Sequence, residues 1–204
     1  MIDEPTVFVI DDDPAARESV CALVESMGLT TESYRSGEEF LEQYDSGRPG
    51  CVITDLQMPG LHGVQVQQQL GEIGARIPVI VLSGYANVPV AVRAMRLGAV
   101  TLLEKPYSDE ELMQAIQEAL AIDTEMRRES RMHEDVLRRL ESLTEDERKI
   151  LELLMSGTPN KVIAKQFDIG LRTVERRRQR VFAKMGVQTV AELTRKVTEV
   201  RQLN

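Results

Sequence analysis

Cysteine and histidine, the side chains of soft-metal and redox sites, are scarce in this chain. Its 204 residues include two cysteines, Cys21 and Cys51, and two histidines, His62 and His133. The cysteines lack the spacing of a metal site and fall in a helix-like and a strand-like stretch. They read as buried free thiols of a reducing compartment. Neither histidine has a second ligand nearby in the sequence, and both read as surface residues. No apolar run approaches membrane-spanning length, and Met1-Ile2-Asp3-Glu4-Pro5 lacks the basic, apolar, small-residue progression of a signal peptide. The expectation is a cytoplasmic protein without a membrane partner.

Charge, by contrast, is plentiful and unevenly spread. The net −8 combines an acidic front, 7 basic and 15 acidic residues over 1–108, with a basic tail, 13 basic and 8 acidic over 142–204. Residues 109–141 carry 5 and 10. Such a split argues for two domains with different partners, the second meeting a polyanion.

In the front half, apolar β-runs at Val7–Ile10, Thr30–Tyr34, Val52–Thr54, Val79–Leu82 and Val100–Leu103 alternate with amphipathic stretches. The alternation predicts an α/β doubly wound, five-stranded parallel sheet, with ligands at the carboxyl ends of its strands. Several chemically active residues fall there. The first strand ends in Asp11-Asp12-Asp13, with Pro14 at a plausible first helical position, and the third ends in Asp55. The fourth ends in Ser83-Gly84 and the fifth in Glu104-Lys105-Pro106. A single Asp after a strand is commonly a turn residue or a helix cap, and acids suit a solvated helix start. Neither explains three carboxylates in a row facing Asp55. Crowded carboxylates suit a hard cation such as Mg²⁺, which takes one or two of them with waters and phosphate oxygens. An ionised Asp beside it can attack phosphorus, while a lysine and a hydroxyl hold the phosphoryl oxygens.

The Asp pair, the lone Asp, the Ser and the Lys-Pro at these strand ends resemble a two-component receiver domain over about residues 4–122. Ser83-Gly84-Tyr85-Ala86-Asn87-Val88 and Glu104-Lys105-Pro106-Tyr107 resemble its FixJ-like branch. The resemblance implies a flavodoxin-like fold with Asp55 as phosphoacceptor and Asp11 and Asp12 as the acidic pocket. It implies Mg²⁺ held by Asp12, Asp55 and the Gln57 carbonyl, Ser83 as switch hydroxyl, and Lys105, with a cis bond to Pro106, as phosphate-binding lysine. Tyr85 and Gln57 would flank the phosphoryl group and tune its hydrolysis. One departure touches the readout: the usual aromatic three residues before the lysine is Leu102 here.

From Ser108 to about Leu140 the sequence has neither Gly nor Pro and reads as one helix, roughly 48 Å long. Ser108 and Glu111 form a capping box. Leu112, Ile116, Ala119, Met126, Leu137 and Leu140 keep a 3–4 spacing, but Asp123, Ser130 and His133 interrupt the stripe. This favours a last receiver helix that continues as a polar linker over 123–141, with a coiled-coil dimer as the alternative.

Residues 142–204 read as four short helices in a small all-α helix-turn-helix domain. Thr144 and Glu147 form another capping box; a short helix over Lys161–Phe167 and a turn at Asp168-Ile169-Gly170 precede an arginine-rich helix from Leu171. Val174, Val181 and Met185 make its inward stripe, leaving arginines to meet phosphates or guanine edges. A basic run alone is usually a solvated face; its coincidence with the second helix of a helix-turn-helix favours DNA. The tail resembles a LuxR/FixJ-type output domain, placing the whole chain with response regulators of the FixJ/NarL family. That resemblance implies DNA contacts from Lys161, Arg172, Thr173, Arg176, Arg177 and Arg180, and dimerisation through Val190, Leu193 and Val197. Three departures are Asp146 for a usual Arg, Gly170 for a Ser cap and Arg177 for a frequent His; Arg177 is expected to add phosphate affinity.

The expected protein is a response regulator transcription factor. A sensor histidine kinase phosphorylates Asp55, since this chain has no nucleotide-binding Gly loop, and a homodimer then forms on a two-fold double-stranded DNA site. Two other readings share parts of the pattern. A haloacid-dehalogenase-type phosphatase would use Asp11 as nucleophile, although Ala15 stands where its Thr belongs. A DNA-binding protein with a degenerate receiver would tolerate Leu102.

Overall fold

The computed structural model describes residues 4–84 and 88–202, which form two compact units, 1–127 and 128–204. The first unit holds strands β1 (Thr6–Ile10), β2 (Thr30–Tyr34), β3 (Gly50–Asp55), β4 (Val79–Ser83) and β5 (Thr101–Glu104). Between them lie helices α1 (Pro14–Ser26), α2 (Gly37–Gln43), α3 (Gly63–Glu72) and α4 (Val88–Arg96). All strand pairs are parallel, in the order β2-β1-β3-β4-β5. The expected doubly wound sheet is therefore present.

Period-two alternation divides the strand side chains between two cores. Phe8, Ile10, Val52, Val79 and Val81 face one layer, with Phe40 of α2, Leu70 of α3 and Ala94 of α4. Val7, Val9, Ile53, Ile80 and Leu82 face the other, with Val20 and Val24 of α1. Burial on both faces explains why these strands read as continuous apolar runs. The second core is completed by Leu112, Ile116 and Ala119 of α5 (Asp109–Glu141). Leu102 lies half-buried against the first core.

The α5 start is capped as expected: the Glu111 backbone N–H donates to the Ser108 hydroxyl, and the Ser108 N–H to the Glu111 carboxylate. Asp123 is no surface interruption of the helical stripe. It is 2% exposed, accepts the Gly50 N–H at 3.0 Å and pairs with Arg127 at 2.8 Å. Arg127 also donates to the carbonyls of Gly47 and Arg48. The polar pair thus ties α5 to the start of β3.

The second unit contains the end of α5, then α6 (Glu145–Met155), α7 (Asn160–Gln166), α8 (Leu171–Met185) and α9 (Val190–Gln202). Its core joins Val136 of α5 with Ile150, Leu154, Ile163, Val174, Val181 and Met185. Thr144 and Glu147 form the expected capping box on α6. On α9 the residues expected to pair two copies differ in burial. Leu193 and Val197 are fully buried in this core, as Val200 nearly is, and Val190 is half-buried. The inward stripe thus serves this unit's own core through Leu193 and Val197, while Val190 keeps part of its surface.

Candidate functional site

The sheet order reverses direction at β1, whose neighbours are β2 and β3. Crevices of open α/β sheets form at such switch points. Ile10 pairs with Thr54 in register, so the next residue on each strand, Asp11 and Asp55, emerges side by side. The three consecutive carboxylates take three different places. Asp13 caps α1 by accepting the Ala15 N–H at 2.9 Å, with Pro14 opening the helix. Asp12 is exposed. Asp11 is 3% exposed and accepts the Asp13 N–H at 2.9 Å on one oxygen.

Asp55 is 7% exposed, and its Oδ2 accepts the Gln57 N–H at 2.7 Å. That bond turns the loop after β3 back over the carboxylate. Gly63 keeps the following helix close, because a Cβ there would fall 2.5 Å from the Asp55 carbonyl oxygen.

Lys105 completes the cluster. Its Nζ donates to Asp55 Oδ1 at 2.6 Å and to Asp11 Oδ2 at 3.0 Å. Its backbone N–H donates to the carbonyl of the fully buried Ser83 at 2.7 Å, which links the ends of β4 and β5. The Lys105–Pro106 peptide is cis. Burial alone pulls the Lys105 ammonium down, but hydrogen bonds and attraction from Asp55 and Asp11 outweigh it and hold its pKa above the usual lysine value. Tyr107, not singled out from the sequence as a site residue, shares this field. Burial pushes its phenol up, Lys105 pulls it down, and Asp11 and Asp55 raise it further.

The structure thus brings Asp11, Asp55, Ser83 and Lys105 to one sheet edge, with Asp12 and Gln57 exposed at its rim. Tyr85 lies outside the described residues. Among the described residues no three His, Cys, Asp or Glu side chains are gathered as a metal cluster. Asp11, Asp12 and Asp55 are oxygen donors of the kind that a hard cation such as Mg²⁺ takes, one or two at a time, with waters and phosphate oxygens.

In the second unit, Arg172, Thr173, Arg176 and Arg180 are exposed on α8, and Lys161 is exposed on α7. Gly170 caps α8 without a side-chain bond. Arg177 is engaged differently: its Nη1 donates to Asp146 Oδ2 at 3.0 Å, and its guanidinium lies 5.8 Å from the Phe167 ring centre. Lys184 is also held inside the unit, by Glu147 at 2.6 Å and the Ser142 carbonyl at 2.9 Å.

Residues 7–117 match the response regulator receiver domain, and residues 141–197 match the bacterial regulatory proteins of the luxR family. The chain is a response regulator. It is 41% identical to the transcriptional regulatory protein FixJ of Azorhizobium caulinodans, over 93% of this chain and 90% of that one. Response regulator protein TodT of Pseudomonas putida is 37% identical over 95% and 85%. Among solved structures, the response regulator StyR superposes with a TM-score of 0.87 at 34% identity, covering 96% of this chain and 99% of that one. Full-length FixJ from B. japonicum gives 0.58 at 34%, covering 99% and 100%. With a receiver and a LuxR-type DNA-binding domain, this response regulator is a transcription factor. No described helix is long and apolar enough to cross a membrane.

Proposed function

We propose that Asp55 accepts a phosphoryl group from the phosphohistidine of a partner sensor kinase, and that this drives pairing of two copies on a two-fold DNA site. The observation that carries the reading is the joint hold of Lys105 on Asp55 and Asp11. Asp55 Oδ attacks phosphorus, the P–N bond to the kinase imidazole breaks, and the imidazole leaves with its electron pair. Lys105, already charged and in contact, moves its hydrogen bond from the carboxylate to a phosphoryl oxygen. Ser83 supplies the second donor, and its displacement toward the phosphoryl group is the switch.

Asp12, Asp55 and the Gln57 carbonyl would hold Mg²⁺, whose charge offsets that of the incoming phosphoryl group. Asp11 keeps Lys105 oriented. The Gln57 N–H keeps Asp55 Oδ2 turned toward the loop, so Oδ1 is the oxygen that Lys105 presents for attack.

The pairing surface we assign is α4. Val88, Val92 and Met95, at helical spacing on one face, and Leu97 just beyond are large apolar side chains exposed to solvent. A second receiver would cover them. The stretch of α5 between Arg127 and Val136 acts as the linker, and Lys161, Arg172, Thr173, Arg176 and Arg180 supply the charge and donors that meet DNA. Cytoplasmic residence follows from a kinase and a chromosome as partners.

Labelling with acetyl phosphate and Mg²⁺ tests the site. The wild type should take up one hydroxylamine-labile phosphoryl group, and Asp55→Asn none. Stable, equal labelling of Asp55→Asn would move the acceptor elsewhere.

A further inference from the structure

We propose that Asp146 is an internal stand-in for a DNA phosphate: it holds Arg177 on the body of the second unit and keeps that charge off the DNA. The inference rests on the reading of α8 as the helix that meets DNA.

Five arginines lie on α8, and they are not equivalent. Arg172, Arg176 and Arg180 recur every fourth residue, forming one exposed stripe. Among the described residues no carboxylate is in ion-pair contact with any of the three. Arg178 lies 5.1 Å from the Phe182 ring centre, one turn further on. Arg177 is set about 100° around the helix from Arg176, on the flank toward α6 and the end of α7. There it meets Asp146 in the first turn of α6 and the ring of Phe167, which follows α7.

Asp146 is well placed for this hold, because the amino end of α6 favours an acid. A carboxylate offers a guanidinium the same oxygen acceptors as a phosphate does. The pair is largely solvent-exposed on the Asp146 side, so its worth to folding is small. Its larger consequence is electrostatic. One of the recognition helix's positive charges is already neutralised before DNA arrives, which lowers affinity for any duplex and leaves discrimination to the exposed stripe.

Binding of the full-length protein to poly(dI-dC), a non-specific duplex, measured by fluorescence anisotropy across about 50–200 mM salt, tests this. Each phosphate contact contributes about 0.9 to the slope of log K against log salt. Arg177→Gln should leave the slope unchanged, while Arg176→Gln and Arg180→Gln should each flatten it by about 0.9. Asp146→Asn should tighten binding several-fold and steepen the slope by about 0.9, and that gain should vanish in the Asp146→Asn/Arg177→Gln double variant. A purely structural pair would not steepen the slope.

Three results would overturn the inference. Flattening by Arg177→Gln alone would show that Arg177 already reaches phosphate. An equal gain from Asp146→Asn with and without Arg177 would show simple removal of repulsion. If Arg176→Gln and Arg180→Gln change nothing, the α8 reading itself fails, and the inference falls with it. Thermal unfolding of each variant separates loss of fold from loss of contact, and Asp146→Asn gives a gain that misfolding would not mimic.

Discussion

The Lys105 ammonium stands 2.6 Å from Asp55 although the two residues are 50 positions apart in the chain. The contact is made possible by β4, which lies between the strands that carry them and whose last carbonyl fixes the Lys105 backbone. One cation thereby serves two buried carboxylates in the resting protein, and the same cation is in place for the phosphoryl group.

Lys105→Ala should therefore still accept phosphate but not dimerise. Light scattering after acetyl phosphate treatment would show a labelled monomer. A normal phosphorylation-dependent dimer would remove Lys105 from the switch.

Asp12→Asn should act on the cation requirement and spare the fold, since Asp12 is exposed at the rim. The Mg²⁺ concentration for half-maximal labelling of Asp55 should rise by roughly tenfold or more, as expected for loss of a metal contact. An unchanged requirement would assign the ion to other donors.

Asp123→Ala should destabilise the first unit by about 2–4 kcal/mol, because it leaves the buried Gly50 N–H without its acceptor and removes the carboxylate that faces Arg127. Asp123→Asn, which keeps an acceptor for Gly50, should cost less. Urea unfolding of the two variants measures the difference, and equal stability of Asp123→Ala and wild type would show that Arg127 holds α5 unaided.

Asp123 also shows where the sequence stops being legible. The strands could be read because both faces of the sheet are buried, which gives contiguous apolar runs ending abruptly in Asp11, Asp55, Ser83 and Lys105. Asp123 looked like a break in an apolar stripe because its partner, the Gly50 N–H, is 73 residues away. The same limit hid the Arg177–Asp146 pair, 31 residues apart. The α9 stripe is ambiguous for a different reason. Amphipathic spacing shows that a helix face is covered, but not whether its own core or a second chain covers it, and Leu193 and Val197 are covered by their own core.

In the second unit, the hydrogen bond from Lys184, with that from the Thr144 N–H, holds the Glu147 carboxyl below the usual glutamate pKa. A depressed carboxylate contributes stability above its unfolded pKa, about 4.3, and loses it as the pH falls through the lower folded value. The second unit should thus lose stability below about pH 4.3, and Glu147→Gln should reduce that part of the acid dependence. Thermal melts at stepped pH test it; an unchanged acid limb in Glu147→Gln would place the dependence elsewhere.

Sedimentation velocity with and without Mg²⁺ and beryllofluoride, a mimic of the phosphoryl group, tests the central claim most directly when run on wild type and Asp55→Ala. A shift to dimer in the wild type alone would place the switch at Asp55 and show that Leu102 transmits it in place of an aromatic residue. A dimer in both proteins, or in neither, would contradict it.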